Sequence, residues 1–358
     1  MTAMKPLPGL FSALLLMLGN AAFAQQFAGQ VVTMIVNYSA GGPTDVEARV
    51  VAQHLPKHIQ GVTSVVVRNV GGAGGRIGVN QLGEAGPRDR LNLGFFTWNP
   101  VDQLVQNETL HVRYNDFKLI AGVHQATLIY IRRDTPPGIS RPADIAKARP
   151  FRAGGLSPTS HSTILQRLAL DLLGAKFDTI YYAKGLHEAD VAMRQGDINV
   201  STNSVSGWYS STKPLLIDTG IAMPLLQFDH VREDGSLGRS SDLPDVPTFL
   251  KVYKDIWGKD ATPSGDKWEA LQLLNRIMDS MYRTVFMPPN APDAAAAEMR
   301  AAFTKLAKDE AFIADFEKVT KAKPSFVMGP QAERIIADLG NAKPAFVSFL
   351  RKYVGEKQ

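Results

Sequence analysis

Residues 31–55 read VVTMIVNYSAGGPTDVEARVVAQHL, and this stretch decides the fold. The run 31–38 is continuous, apolar and rich in β-branched residues, the pattern of a buried strand. It stops at Gly41 and Gly42, which allow positive φ and close approach to the backbone. Residues 46–59 then place Val46, Val50, Val51 and Leu55 near helical spacing, and Pro56 ends or kinks that helix. Thr44 or Asp45 is the expected N-cap. A helix N-terminus presents unpaired N–H groups and partial positive charge, so the turn offers an anion a place to bind. Taken alone, it is equally an ordinary capped βα turn.

The same unit returns three times. SVVVRN (64–69) leads into GGAGG and a helical segment over 76–85. FRAGG (151–155) precedes SPTSHSTILQRL, where Ser157, Thr159, Ser160 and Ser162 crowd a helix start that needs one capping hydroxyl. DTIYYA (178–183) precedes Lys184, Gly185 and a short helix closing on Gly196. LNLGFFT (91–97) and DINVSTN (197–203) are further strands. A β-α-β-α order predicts parallel α/β sheets. Extended segments near 123–133 and 220–228 join two such regions, which predicts two hinged lobes with a cleft between them. The last third reads as helices over 266–284, 292–308, 310–320 and 330–353, and residues 232–247 as an exposed loop. In open α/β sheets ligands bind beyond the carboxyl ends of strands, so the four loops face one cleft.

Composition narrows the class. The 358 residues are 45% hydrophobic and 20% charged, enough for about two domains. The net charge of +5 is scattered, with no basic cluster interleaved with aromatics, which argues against nucleic acid as partner. Lys5, the apolar run Leu10–Leu18 and Ala22-Phe23-Ala24 form a secretory signal pattern with cleavage before Gln25, so a periplasmic location is expected. The chain has no cysteine, which excludes disulfides, thiolate metal sites and cysteine nucleophiles.

Catalytic and cofactor motifs do not fit. From Gly72 and Gly74 the dinucleotide fingerprint needs a glycine where Ile77 stands, and no Gly-Lys-Ser/Thr follows. His54 and His58 flank Pro56 without the glutamate of HExxH, which reads as an exposed helix end. Ser210-Ser211-Thr212-Lys213 lacks the partner motifs of the penicillin-binding enzymes, and His161 beside Ser160 and Ser162 is not a nucleophile–base pair. Neither cofactor nor metal is expected.

Together, YSAGGPTDVEARVVAQHL and VVVRNVGGAGGRIGVNQL resemble the Bug family, the periplasmic solute-binding proteins of tripartite tricarboxylate transporters. SPTSHSTILQRL, YAKGLHEADVAMRQGDINV and LPDVPTF resemble later motifs of that family, and the likeness runs with gaps from about residue 30 to 320. The resemblance implies an α/β, type II periplasmic binding protein fold. Its lobe 1 would use residues 27–124 and 245–358, its lobe 2 residues 125–244, after a signal peptide over 1–24. It implies a small carboxylate held largely by main-chain amides and ordered waters; helix N-termini and bare amides can neutralise such a group without a fixed arginine. By motif, the contacts fall on Tyr38, Ala40, Gly41, Gly42, Thr44 and Asp45, with Gly72, Ala73 and Gly74 nearby. The second lobe would add Thr159, Ser160, His161, Lys184 and Gly185, with Thr97 and Asn203 at strand ends. Asp45, a carboxylate beside an anion site, is assigned to capping or to an amine on the ligand. Ser157–Pro158, Ala183 and Asn199 depart from the family pattern, and residues 266–283 exceed its usual length.

The expected function is therefore binding, not catalysis. A monomer captures a carboxylate by hinge closure and delivers it to membrane transporter subunits. An exported hydrolase or transferase acting on a small acid, and a ligand-sensing partner of a membrane receptor, are the alternatives. Phe95, Phe96 and Trp98 would suit an aromatic acid if they face the cleft, or a core if they do not.

Overall fold

The computed structural model describes residues 26–231 and 237–355. The expected signal peptide, 1–24, lies outside the described residues. Among the described residues no helix is long and apolar enough to cross a membrane.

Two mixed sheets carry the chain. The first is built from β1 (Val31–Val36), β2 (Ser64–Asn69), β3 (Leu93–Thr97), β4 (Lys118–Val123), β12 (Arg283–Met287) and β13 (Phe326–Val327), in the order β13-β4-β12-β3-β1-β2. The second holds β5 (Thr127–Arg132), β6 (Phe151–Gly155), β7 (Phe177–Tyr181), β8 (Val200–Ser204) and β9 (Ala222–Gln227), in the order β7-β6-β8-β5-β9. A two-residue pair, β10 (His230–Val231) and β11 (Leu237–Gly238), stands apart. Strands followed by helices pair in parallel, β1 with β2 and β3, and β6 with β7 and β8. The strands that change sheets run antiparallel: β12 beside β3 and β4, and β5 beside β8 and β9. The expected parallel sheets are thus mixed, because a chain returning to its first sheet enters from the other end.

The segment read as one long extended chain over 119–134 is β4 and β5, and the chain passes between sheets at His124–Ala126. The return path differs from the expected boundary. β9 is itself a strand of the second sheet, and α6 (Phe249–Trp257) still packs against β9 and the turn Pro142–Lys147 on that side. The chain comes back only through α7 (Asp266–Ser280), which packs along α4 (His161–Leu172) and then runs into β12. One apolar cluster consequently joins first-lobe residues such as Phe96 and Phe286 to second-lobe residues such as Ile129 and Leu168 through Leu274 and Met278. Burying each such side chain is worth about 1.5–3 kcal/mol, so the long 266–280 segment fastens the two lobes on one side.

Local rules explain the other differences. Residues 330–353 form two helices, α10 (Pro330–Ala337) and α11 (Pro344–Gly355), since Pro344 can begin a helix but not continue one. Part of the expected exposed loop is anchored: the Gln227 amide donates to the Leu243 and Val246 carbonyls at 2.8 and 2.6 Å, and both residues are buried. Between α7 and α10 lie α8 (Asp293–Leu306), as expected, and α9 (Glu310–Thr320), capped by Asp309. His54 and His58 meet Asp315 and Asp309 at 2.9 and 3.0 Å, and His54 is buried, so HLPKH pins α9 instead of ending in solvent.

Candidate functional site

β1 ends at Val36, and the next residues fold across the carboxyl end of the first sheet before α1 (Pro43–His54) begins. Gly41 has φ +79, in the left-handed region, and Gly42 in extended backbone is the N-cap. Pro43 fills the first helical position, where a missing N–H costs nothing. The expectation that Thr44 or Asp45 caps α1 is therefore corrected. Asp45 stands in the first turn, where its carboxylate accepts from the Gly41 N–H at 2.8 Å and from Arg49 Nε at 2.9 Å. Burial acts to raise the Asp45 pKa, but these bonds outweigh it and hold the carboxyl below its ordinary value. The acid is ion-paired to Arg49 within its own helix, while its Oδ1 is buried without a hydrogen bond.

Asn37 ties this turn to the next strand. Its amide donates to the Thr97 carbonyl and its oxygen accepts from the Thr97 N–H, both at 3.1 Å. The Thr97 hydroxyl then lies 2.7 Å from the Thr44 hydroxyl and accepts from Arg283 Nη1 at 2.7 Å. Arg283 sits directly opposite Thr97 in the β3–β12 pairing. It is 2% exposed, meets the fully buried Glu47 of α1 at 2.9 Å, and lies over the Tyr282 ring. Glu47 also accepts from the Ser206 hydroxyl at 2.5 Å. Arg283 Nε has no hydrogen-bond partner.

A cavity of about 250 Å³ opens in front of this group. The first lobe contributes Tyr38, Ser39, Ala40, Gly42, Pro43, Thr44, Thr97, Tyr282 and Arg283, and the second Leu156, Lys184–Glu188 and Asn203. The size is near the lower limit of small-molecule sites. The lobes touch at its rim, where the Ser39 N–H donates to the Lys184 carbonyl at 3.1 Å. Three basic side chains, Lys184, His187 and Arg283, line it beside one exposed acid, Glu188, and the α1 N-terminus adds partial positive charge.

The predicted residues divide cleanly. Tyr38, Ala40, Gly42, Thr44, Thr97, Lys184, Gly185 and Asn203 line the cavity. Gly41 and Asp45 shape the turn behind it. Gly72, Ala73 and Gly74 lie elsewhere: a Cβ on Gly74 would stand 2.8 Å from the Ser157 hydroxyl, so this loop abuts the second lobe. Its carbonyl accepts from Tyr38 at 2.9 Å. Thr159 belongs to a clasp between the lobes, donating to the buried Asp102 at 2.6 Å and accepting from Arg76 at 3.2 Å. Ser160 and His161 start α4, whose His161 N–H donates to the Asn99 side chain at 3.0 Å. The α4 N-terminus is thus occupied by the first lobe. His161 is 1% exposed and edge-on to Tyr282. Burial, followed by the Arg283 charge, lowers its pKa to about 3. Phe95, Phe96 and Trp98 are fully buried in the core. Asn199 accepts from the Arg152 N–H at 3.2 Å, within the second sheet.

Sequence reasoning missed Arg283, Tyr282 and the helix start Leu186–Glu188. The available signal for Arg283 was an arginine opening an apolar, β-branched run, RTVFM. A guanidinium there must find a buried partner, and no arginine was among the expected contacts.

No protein-family model matches the chain. A curated relative from Agrobacterium vitis, the UPF0065 protein in the TAR-I ttuE-ttuC' intergenic region, is 24% identical over 310 residues, 81% of this chain and 82% of the relative. The periplasmic binding protein BugD superposes with TM-score 0.64 at 21% identity, covering 92% of this chain and 99% of BugD. The fold is that of the Bug-type periplasmic binding proteins. Two further neighbours of this fold are from Rhodopseudomonas palustris. MatC, solved with malate, has TM-score 0.64 and 18% identity, covering 90% of this chain and 98% of its own. A second protein, solved with adipate, has TM-score 0.65 and 18% identity, covering 91% and 97%. The resemblance read from the two glycine loops is borne out.

Proposed function

We propose that the chain is a periplasmic solute-binding protein that closes on a small carboxylate and delivers it to a tripartite tricarboxylate-type membrane transporter. The observation that carries the reading is the interlobe cavity itself. It is small, walled by both lobes, and lined by Arg283, Lys184 and the α1 start. An anion placed there gains from oriented N–H groups and a desolvated guanidinium, which strengthens charge-assisted bonds. Because residues of both lobes line the cavity, a ligand there favours the closed arrangement by contacts unavailable when open. The clasp of Thr159 with Asp102 and Arg76 adds a ligand-independent share of that closure.

Malate and adipate, carried by two neighbours of the same fold, set the chemical range for a first screen. Aliphatic mono- and dicarboxylates, amino acids and aromatic acids are each tested for a rise in melting temperature. At about 100 times the dissociation constant a ligand stabilises by roughly 2.7 kcal/mol. A shift with short dicarboxylates and none with amino acids fits a cavity in which Asp45 is already paired. Absence of any shift across all acids would sink the reading.

A further inference from the structure

Away from the cleft, three metal-ligand side chains meet where the lobes join. His124 stands in the first crossover, between β4 and β5. Asp279 lies in the last turn of α7, just before the chain returns to β12. His230 opens β10, shortly after β9. One ligand atom from each lies within 4.8 Å of the others, and this is the one such cluster among the described residues. The imidazole rings have centroids 5.0 Å apart. His230 Nδ1 is 2.9 Å from one Asp279 carboxylate oxygen, and His124 Nδ1 is 3.8 Å from the other. His124 Nδ1 also donates to the Asp279 main-chain carbonyl, a bond that a metal on Nδ1 would replace.

We infer that this cluster is a transition-metal site, with zinc the best-suited ion, tying both lobe crossovers together. The spacing supports it. Metal–ligand bonds of about 2.0–2.1 Å in a tetrahedron put ligand atoms roughly 3.3 Å apart; to the shared Asp279 Oδ1, His230 Nδ1 stands at 3.1 Å and His124 Nδ1 at 3.8 Å. The donor set supports it too. Two imidazoles and one carboxylate suit zinc, copper or nickel, whereas magnesium and calcium prefer oxygen alone. Two neutral imidazoles with one carboxylate form an ordinary three-ligand set that leaves a fourth position for water. Asp242 lies in electrostatic reach of both rings, which offset part of the rise that burial gives its pKa.

Position gives the site its consequence. Its ligands come from the first crossover, from the end of the bridging helix and from the strand pair after β9, so a bound ion restrains the elements on which lobe motion turns. No motif spacing flags it, since the residues are separated by more than 40 positions.

The test uses residues 25–358 without a polyhistidine tag, stripped by chelator and titrated with zinc alone by calorimetry. One equivalent is expected, uncompeted by magnesium or calcium. His124→Gln and Asp279→Asn should each weaken it at least about tenfold, in line with losses on perturbing metal sites. His111→Gln, on the surface beside Glu84, serves as the unchanged control. Far-UV dichroism of each zinc-free variant checks folding. His124 is partly exposed at 19%, so its variant stays informative even if Asp279→Asn unfolds. Absence of a one-equivalent binding event, or undiminished affinity in folded His124→Gln, would overturn the inference.

Discussion

Replacing Arg283 by Met gives the sharpest test of how the cleft is held. The side chain is 2% exposed and its partner Glu47 is fully buried, 2.9 Å away. Removing Arg283 alone strands Glu47, whose second oxygen already lacks a hydrogen bond. Breaking a buried pair from one side costs about 3–5 kcal/mol. At about 2 °C per kcal/mol for a chain of this size, the melting temperature should fall by roughly 6–10 °C. Glu47→Gln/Arg283→Met removes the stranded charge and should recover most of that loss, because replacing both members of a buried pair is often neutral. Ligand binding should separate from stability. The double variant regains its fold yet not its affinity for the acid found by screening. Urea denaturation and calorimetry of both variants read the two effects. If Arg283→Met loses less than about 1 kcal/mol, the range of an exposed pair, the buried-pair argument is wrong. If the double variant is as unstable as the single one, the stranded Glu47 charge is not the cause.

Three further outcomes follow from other groups. His161 has its pKa lowered to about 3, so the unfolded chain takes up its proton first and stability is lost as pH falls from about 6.5 toward 3. By pH 5 the loss is about 2 kcal/mol, and His161→Leu, followed by urea denaturation at several pH values, should abolish that increment. Asp190 acts with opposite sign. Burial raises its pKa to about 6, so the folded form takes up the proton first and the protein gains stability as pH falls through 6. The gain is roughly 1.4 kcal/mol between pH 7 and 5, absent in Asp190→Asn on the same pH series. Gly41→Ala places a Cβ where nothing lies within 4 Å, at φ +79. Only backbone strain opposes it, so a thermal melt should show a cost of about 1–2 kcal/mol and no more.

The first wall of the cleft was legible in the sequence because its logic is local. A strand, two glycines and a helix start within some fifteen residues, and Tyr38, Ala40, Gly42 and Thr44 fall where that pattern puts them. The second wall was half legible, through Lys184 and Gly185. The third was not. Arg283 is more than 200 positions from the loop it completes, and only the β3–β12 pairing places it opposite Thr97. Thr159 and His161 misled for a related reason. The hydroxyl-rich helix start was real, but Asn99 and Asp102 of the other lobe occupy it, and no local pattern announces a partner across an interface. The same holds for the fold. Helix and strand runs followed from periodicity, while the attachment of α6 and α7 to the second lobe depends on which apolar faces meet.

The most direct measurement is a crystal structure of residues 25–358 with the best acid from the screen. The account predicts a carboxylate in the cavity between Thr44, Arg283 and the Lys184–Glu188 loop, with the Thr159–Asp102 clasp closed. An acid bound elsewhere on the surface, with the cavity empty, would contradict it.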